Sequence, residues 1–173
     1  GMCQRNCAHS AITIANHKAS IDHNRCVGCG RCIGACPKDA VAAAGDEVND
    51  ILNKKMVEYA AAVLRNKPCF HISLICDVSP FCDCHAENDL PIIPDVGMFA
   101  SFDPVALDMA CADACNAMPV QAGSKLADEL AAHGDCHHDH FTNTFPVTNW
   151  RSGIDHAVKI GLGSKEYELI TVK

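Results

Sequence analysis

The sequence lacks the features that define several common protein classes. No stretch approaches the roughly 18 consecutive apolar residues of a transmembrane helix, so we expect no contact with a membrane. Positive charge is scarce: 14 Lys and Arg stand against 21 Asp and Glu, the net charge is −7, and no basic run argues for a nucleic-acid partner. The hydrolase motifs G-x-S-x-G and H-E-x-x-H are missing, as is a glycine-rich phosphate loop, which disfavours a hydrolase and a nucleotide or flavin site.

Cysteine, in contrast, is abundant: the chain has 13, and four of them stand in one compact run. Residues 26–37 read C-x2-C-x2-C-x3-C-P, the spacing with which bacterial ferredoxins hold [4Fe–4S] clusters. Gly28 and Gly30 let the backbone turn tightly between the thiolates. We therefore predict an iron–sulfur site. The alternative is a four-cysteine zinc site, which usually uses two well-separated C-x2-C pairs.

The fourth cysteine of the run has its counterpart near the start of the chain. In two-cluster ferredoxins the last cysteine of each run binds the other cluster, so Cys36 is not expected to complete the site of its neighbours. Cys3 and Cys7 repeat the x3 spacing, and the residues after Cys7 resemble those after Cys36. We expect one complete cluster on four ligands and a second site with only two. The first set is Cys7, Cys26, Cys29 and Cys32, and the second is Cys3 and Cys36. Alternatively, Cys3 and Cys7 are ordinary thiols near a terminus.

The incomplete cysteine motif at Cys3 and Cys7 also bears on whether the chain is a fragment of a longer protein. Since the first two cysteines of that run are missing, we expect an N-terminally truncated fragment whose partners include the missing part of the same protein. A ferredoxin run argues for a reducing, cytoplasmic location rather than a secreted disulfide scaffold. We further expect a redox partner protein, and a homo-oligomer if a sheet edge or apolar patch is exposed.

The pattern of the chain predicts an α+β fold in two domains. Residues 1–45 would form a small ferredoxin-type module with a hairpin of Ile12–Ala15 and Ala19–Asp22, and residues 46–173 a mixed α/β domain. In the second domain, the apolar residues Leu52, Met56, Ala60 and Val63 or Leu64 predict a buried stripe on a helix over residues 49–67. The remaining predicted elements are strands at 69–76, 91–101 and 167–172, and helices beginning at Asp103, Ser124 and Thr148.

A second group of potential ligands lies in the larger domain. Cys76, Cys82, Cys84 and His85 surround a Ser-Pro turn, and together they could hold a soft metal, zinc or iron. The alternative is a set of buried thiols beside a loop. Two further places carry ligand-type residues, namely Cys111 with Cys115, which small-residue packing explains better, and the loop from His133 to His140, for which a solvated polar loop is the alternative.

The sequence resembles domain-of-unknown-function family 362, whose members are often described as uncharacterised iron–sulfur-centre proteins. The resemblance rests on residues 77–84, 91–108, 148–151 and 160–170. It implies a bacterial-type two-cluster ferredoxin insert within a larger α/β protein, of which this chain would be the C-terminal part. The family implies no reaction.

Two hypotheses for function follow. The first is an iron–sulfur electron-transfer protein, either a redox module or part of an oxidoreductase whose substrate the sequence does not identify. The second is a structural or binding domain in which bound metal stabilises a small module without redox turnover. Reversible reduction would separate the two.

Overall fold

The structure is a computed structural model that describes residues 1–38, 40–42, 47–81 and 90–172, with only the backbone described at 47–49. The chain divides into two compact units, Gly1–Val48 and Asn49–Lys173. The described residues form helices and two antiparallel two-stranded sheets, so the predicted α+β class is confirmed. In this part of the chain, every helix is too short or too polar to cross a membrane.

The first unit is built around a β-hairpin. Helix α1 (Met2–Asn6) leads into strands β1 (Ile12–Ala15) and β2 (Lys18–Ile21), and α2 (Arg31–Gly34) follows. The strands pair in antiparallel register, from Ile12 opposite Ile21 to Ala15 opposite Lys18. Asn16 and His17 form the two-residue turn with φ of 50° and 62°, the left-handed values that a type I′ hairpin turn requires. The predicted hairpin is confirmed, with its second strand one residue earlier.

The second unit packs helices around a small apolar core. Its elements are α3 (Glu47–Leu64), β3 (His71–Ile75), β4 (Gly97–Ser101), α4 (Pro104–Asn116), α5 (Lys125–His133), α6 (His140–Thr144) and α7 (Arg151–Lys159). Strands β3 and β4 are antiparallel, and α4 packs against both. The buried core consists of Ile75, Ile92, Ile93, Cys115 and Leu126.

Local capping signals predicted two helix starts correctly. The Asp103 carboxylate accepts hydrogen bonds from the amides of Val105 and Ala106 at 2.8 and 3.0 Å, and Pro104 is the first helical residue of α4. Ser124 caps α5, and Gly134 ends it with a φ of 72°.

The predicted core stripe on α3 is wrong. Leu52 and Met56 are 50% and 55% exposed, whereas Asn53, Val57 and Ala61 are half-buried. Of the predicted stripe, only Leu64 is half-buried. Adjacent helical positions differ by about 100°, so a one-residue offset selects another face. That face meets α7, where the Asn53 amide donates to the carbonyl of Asn149 at 2.9 Å. The helix also begins before the predicted cap at residues 49–50.

Three other predicted boundaries differ. Strand β4 covers only the end of the predicted 91–101 segment, because the Ile92 amide donates to Val78 instead and prolines at 91 and 94 have no amide hydrogen. Residues 167–172 form no sheet ladder in the described part of the chain. Helix α7 begins at Arg151 rather than at Thr148, whose amide closes a turn onto Phe145.

Candidate metal centre

Four predicted cluster ligands line a single pocket in the first unit. They are Cys7, Cys26, Cys29 and Cys32, and the walls between them carry the apolar side chains of Ile12, Ile21 and Val27. Cys29 is exposed and the other three are half-buried. The chain thus brings a cysteine from before the hairpin together with three from after it.

The hairpin explains why these distant cysteines meet. Cys7 precedes β1 and Cys26 follows β2, so both lie at the open end of the antiparallel pair. The Asp22 amide donates to the carbonyl of Ala11 at 2.8 Å and extends the pairing by one step. The Cys26 amide then donates to the carbonyl of Asp22 at 2.9 Å, which turns the chain back toward Cys7.

Two glycines shape the loop that carries the other thiols. Gly28 and Gly30 have φ of 69° and 73°, a left-handed conformation that side chains disfavour. Gly30 is also the residue before α2, the short helix that carries Cys32. The glycines predicted from the motif therefore stand where the backbone reverses between successive cysteines.

The Cys7 thiol lies in a group of backbone amides. The Ala11 amide donates to the Cys7 sulfur at 3.4 Å, and hydrogen bonds from this amide and those of His9 and Ser10 hold the pKa of Cys7 below its ordinary value. The Arg25 guanidinium adds a smaller effect in the same direction. Since metals bind the thiolate form, this environment favours the ligand state of Cys7.

The other two predicted ligands line a separate pocket. Cys3 and Cys36 share it with hairpin residues that include Ile14 and Lys18. Cys3 is buried, and the Cys36 sulfur accepts a hydrogen bond from the Ala40 amide at 3.3 Å. Among the described residues, two cysteines line this pocket and four line the first.

The donor set of the first pocket is four thiols, three from a C-x2-C-x2-C run and one remote, which is the kind of set that would hold an iron–sulfur cluster. Among the described residues, no three His, Cys, Asp or Glu side chains are gathered closely enough to bind one metal ion. A single zinc ion would need sulfurs about 3.8 Å apart, given Zn–S bonds of about 2.3 Å. In a [4Fe–4S] cluster each thiolate binds a different iron, so the four sulfurs stand farther apart around a larger body.

The second predicted metal site stays a prediction. Cys76 follows β3 and its side chain is exposed. Cys82, Cys84 and His85 lie outside the described residues. The nearby backbone is anchored by Asp95, whose carboxylate accepts a hydrogen bond from the Asp77 amide at 3.0 Å.

Three side chains of the histidine-rich loop, those of Asp135, Asp139 and His140, make hydrogen bonds that hold its backbone. Asp135 accepts hydrogen bonds from the Asn143 amide group and the His138 backbone amide at 2.7 and 2.8 Å, and the Asn143 bond chiefly keeps the pKa of Asp135 low. The ring of His140 bonds the carbonyl of Met118 at 2.9 Å. The sequence did not predict α6, which Asp139 caps.

Two other cysteines and one histidine belong to the interior of the second unit. Cys115 is 5% exposed in the core, and Cys111 packs against it, as small-residue packing predicted. Burial raises the pKa of both thiols.

His71 faces α4 from β3, and among the described residues its Nε2 atom is buried without a hydrogen-bond partner. No sequence pattern around His71 signals this unpaired atom.

The sequence matches the family model of a domain of unknown function, DUF362, over residues 4–113. The chain therefore belongs to the DUF362 family. The matched range contains five of the six cysteines of the two pockets, all but Cys3. It ends before the motifs at 148–151 and 160–170. No curated protein and no solved structure matches the chain significantly.

Proposed function

We propose that the first unit is a ferredoxin-type module that holds one [4Fe–4S] cluster on Cys7, Cys26, Cys29 and Cys32 and passes single electrons to a redox partner protein. The observation that carries the proposal is the shared pocket of these four thiols. Their arrangement pairs a C-x2-C-x2-C run with a remote cysteine, as in two-cluster ferredoxins.

The residues around the pocket suit this role. When bound, a [4Fe–4S] cluster supplies one-electron redox chemistry, with a potential set by hydrogen bonds to sulfur and by solvent exposure. The Ala11 amide donates to the Cys7 sulfur and stabilises its negative charge. Buried Ile12 limits the access of water to the pocket, whereas exposed Cys29 brings one ligand to the surface, where a partner protein can dock.

The test is a redox titration of the chain reconstituted with iron and sulfide without oxygen. We expect reversible one-electron reduction of the cluster, detected by EPR. We also expect the reduced cluster to exchange electrons with a small ferredoxin reductase or a viologen dye. A matched variant, Cys29→Ser, should shift the midpoint potential or lose the signal. Cys136→Ser, which changes an exposed thiol of the second unit, should leave both unchanged. A cluster that forms but cannot be reduced reversibly would contradict electron transfer.

The burial pattern favours one alternative, a metal-stabilised module without redox turnover. In the described part of the first unit only Cys3, Ala11 and Ile12 are buried, which is a small core for an independent unit. Small modules of this kind commonly need a metal or disulfides for stability. Zinc without labile sulfide, together with a thermal transition that depends on zinc, would favour this alternative.

A further inference from the structure

One face of the β3–β4 sheet is apolar and open to solvent. The register places Ile72 opposite Ala100 and Leu74 opposite Met98, so all four side chains lie on the same face. Phe70 and Phe102 continue the face at one end, with ring centroids 5.0 Å apart. The exposed fractions are 55% for Phe70, 63% for Ile72, 68% for Leu74, 71% for Met98 and 79% for Phe102. We call these five residues and Ala100 the outer sheet face.

The opposite face of the same sheet explains why the outer face is left open. His71, Ser73 and Ile75 alternate with the outer residues along β3 and are turned inward. Phe99 of β4 packs against the core cluster, and α4 covers this side. An antiparallel sheet with one buried face normally has a polar second face. Here the second face is apolar as well.

The outer sheet face is large enough to support association. With roughly 200 Å² of accessible surface for a large side chain, the five residues expose about 670 Å², slightly more than the largest patch on a typical monomer. None of its six residues is charged. Two copies packed face to face would bury about 1,300 Å² in total, which lies just above the lower bound of about 1,200 Å² for stable interfaces.

We propose that the outer sheet face is the interface of a homodimer, with two sheets packed face to face about a twofold axis. A twofold axis sets the same patch against itself, and an uncharged apolar face is complementary to its own copy. Sheets pack in this way at a separation of about 10 Å. Each chain has a net charge of −7, so repulsion between copies should weaken with salt and the dimer should tighten.

Sedimentation of the full chain over a range of concentrations tests the proposal. We expect a monomer–dimer equilibrium that shifts toward dimer between 50 and 500 mM salt, because the Debye length falls over this range from about 14 Å to about 4 Å. Leu74→Lys should weaken the dimer at least tenfold, because it places a like charge against its copy. Val63→Lys, at an exposed apolar position on α3, is the control and should not change the equilibrium. A chain that stays monomeric, or a dimer that Leu74→Lys leaves intact, would overturn the proposal.

A second measurement needs no substitution. Met98 lies on the outer sheet face, and Met56, on α3, is also exposed, so their methyl groups form a matched pair. With ¹³C-methyl methionine, a soluble paramagnetic reagent should broaden Met56 strongly and Met98 weakly at concentrations where the dimer forms. Equal broadening in the dimer would contradict the interface. A protected Met98 in a monomer would also contradict it, because another part of the chain would then cover the face.

Discussion

The backbone amide of Ala11 donates a hydrogen bond to the Cys7 sulfur over 3.4 Å, and the same contact recurs one repeat later. There the amide of Ala40 donates to the Cys36 sulfur over 3.3 Å. In both cases the donor lies four residues after the cysteine, so the sequence repeat of Cys7 and Cys36 is also a repeat of local structure. The two cysteines nevertheless line different pockets.

The amide contacts of Cys7 predict an unusually acidic thiol in the metal-free chain. Because the charged form is stabilised on folding, half-maximal alkylation of Cys7 should occur at a lower pH in the native chain than in denaturant. The associated stability is present above the unfolded pKa, about 8.5, and is lost as the pH falls through the folded value. Alkylation followed by peptide mass spectrometry measures both curves on the same residue. Identical alkylation curves in the native and the denatured chain would contradict a lowered pKa of Cys7 in the folded protein.

We predict that Asp103 stabilises both the start of α4 and the segment around Ser164. Its carboxylate caps α4 and also accepts a hydrogen bond from the Ser164 amide at 2.8 Å. Asp103→Ala should therefore lower the free energy of unfolding by about 1–3 kcal/mol, more than a single surface bond. Denaturant titration measures the loss. Asp155→Ala removes only an exposed pair with Lys165 and should cost less than about 1 kcal/mol. Equal effects would show that the Asp103 contacts contribute little.

Asp139 is predicted to be the most sensitive residue of the histidine-rich loop. It is 5% exposed, caps α6, and accepts a hydrogen bond from the Trp150 indole at 2.7 Å. Asp139→Ala should cost about 2–4 kcal/mol, because it removes a cap and leaves a partly buried donor unpaired. Trp150 is the single tryptophan, so its emission reports the change directly. His137→Ala, at an exposed side chain nearby, should change neither the stability nor the emission.

The core should depend on Leu126 and not on the stripe that periodicity selected. Leu126 is fully buried, so Leu126→Ala should lower the free energy of unfolding by about 2–5 kcal/mol. Leu52→Ala, on the exposed side of α3, should change it by less than about 0.5 kcal/mol. Thermal or denaturant unfolding of both variants checks this. A large loss from Leu52→Ala would mean that this side of α3 is buried in solution.

The features that sequence predicted well are those fixed by neighbouring residues. The caps at Asp103 and Ser124 satisfy amides two or three positions away, so local chemistry decides them. The half-buried face of α3 depends instead on α7, where Asn53 and Val57 pack close to Gly153. No local pattern contains that information. For the same reason the stripe prediction selected the wrong face.

In the candidate metal centre, too, some features follow from the local sequence and others depend on the fold. The repeat of Cys7 and Cys36 in the sequence suggested which cysteine joins Cys26, and the hairpin supplies the geometry for it. The amide donors at Ala11 and Ala40 could not be predicted, because alanine carries no side-chain signal and only the path of the backbone directs its amide. The exposure of the outer sheet face could not be predicted either, because the strands of a sheet buried on both sides would have the same apolar sequence pattern.

The most direct test of the account is a comparison of Cys7→Ser with Cys36→Ser after anaerobic reconstitution. The two cysteines occupy equivalent positions and accept equivalent amide hydrogen bonds, so each variant is the control for the other. The account predicts about four irons and four sulfides per chain, with a cubane EPR signal, in the parent and in Cys36→Ser, and a strong loss in Cys7→Ser. A cluster that survives Cys7→Ser and is lost in Cys36→Ser would contradict the ligand set and the proposed module with it.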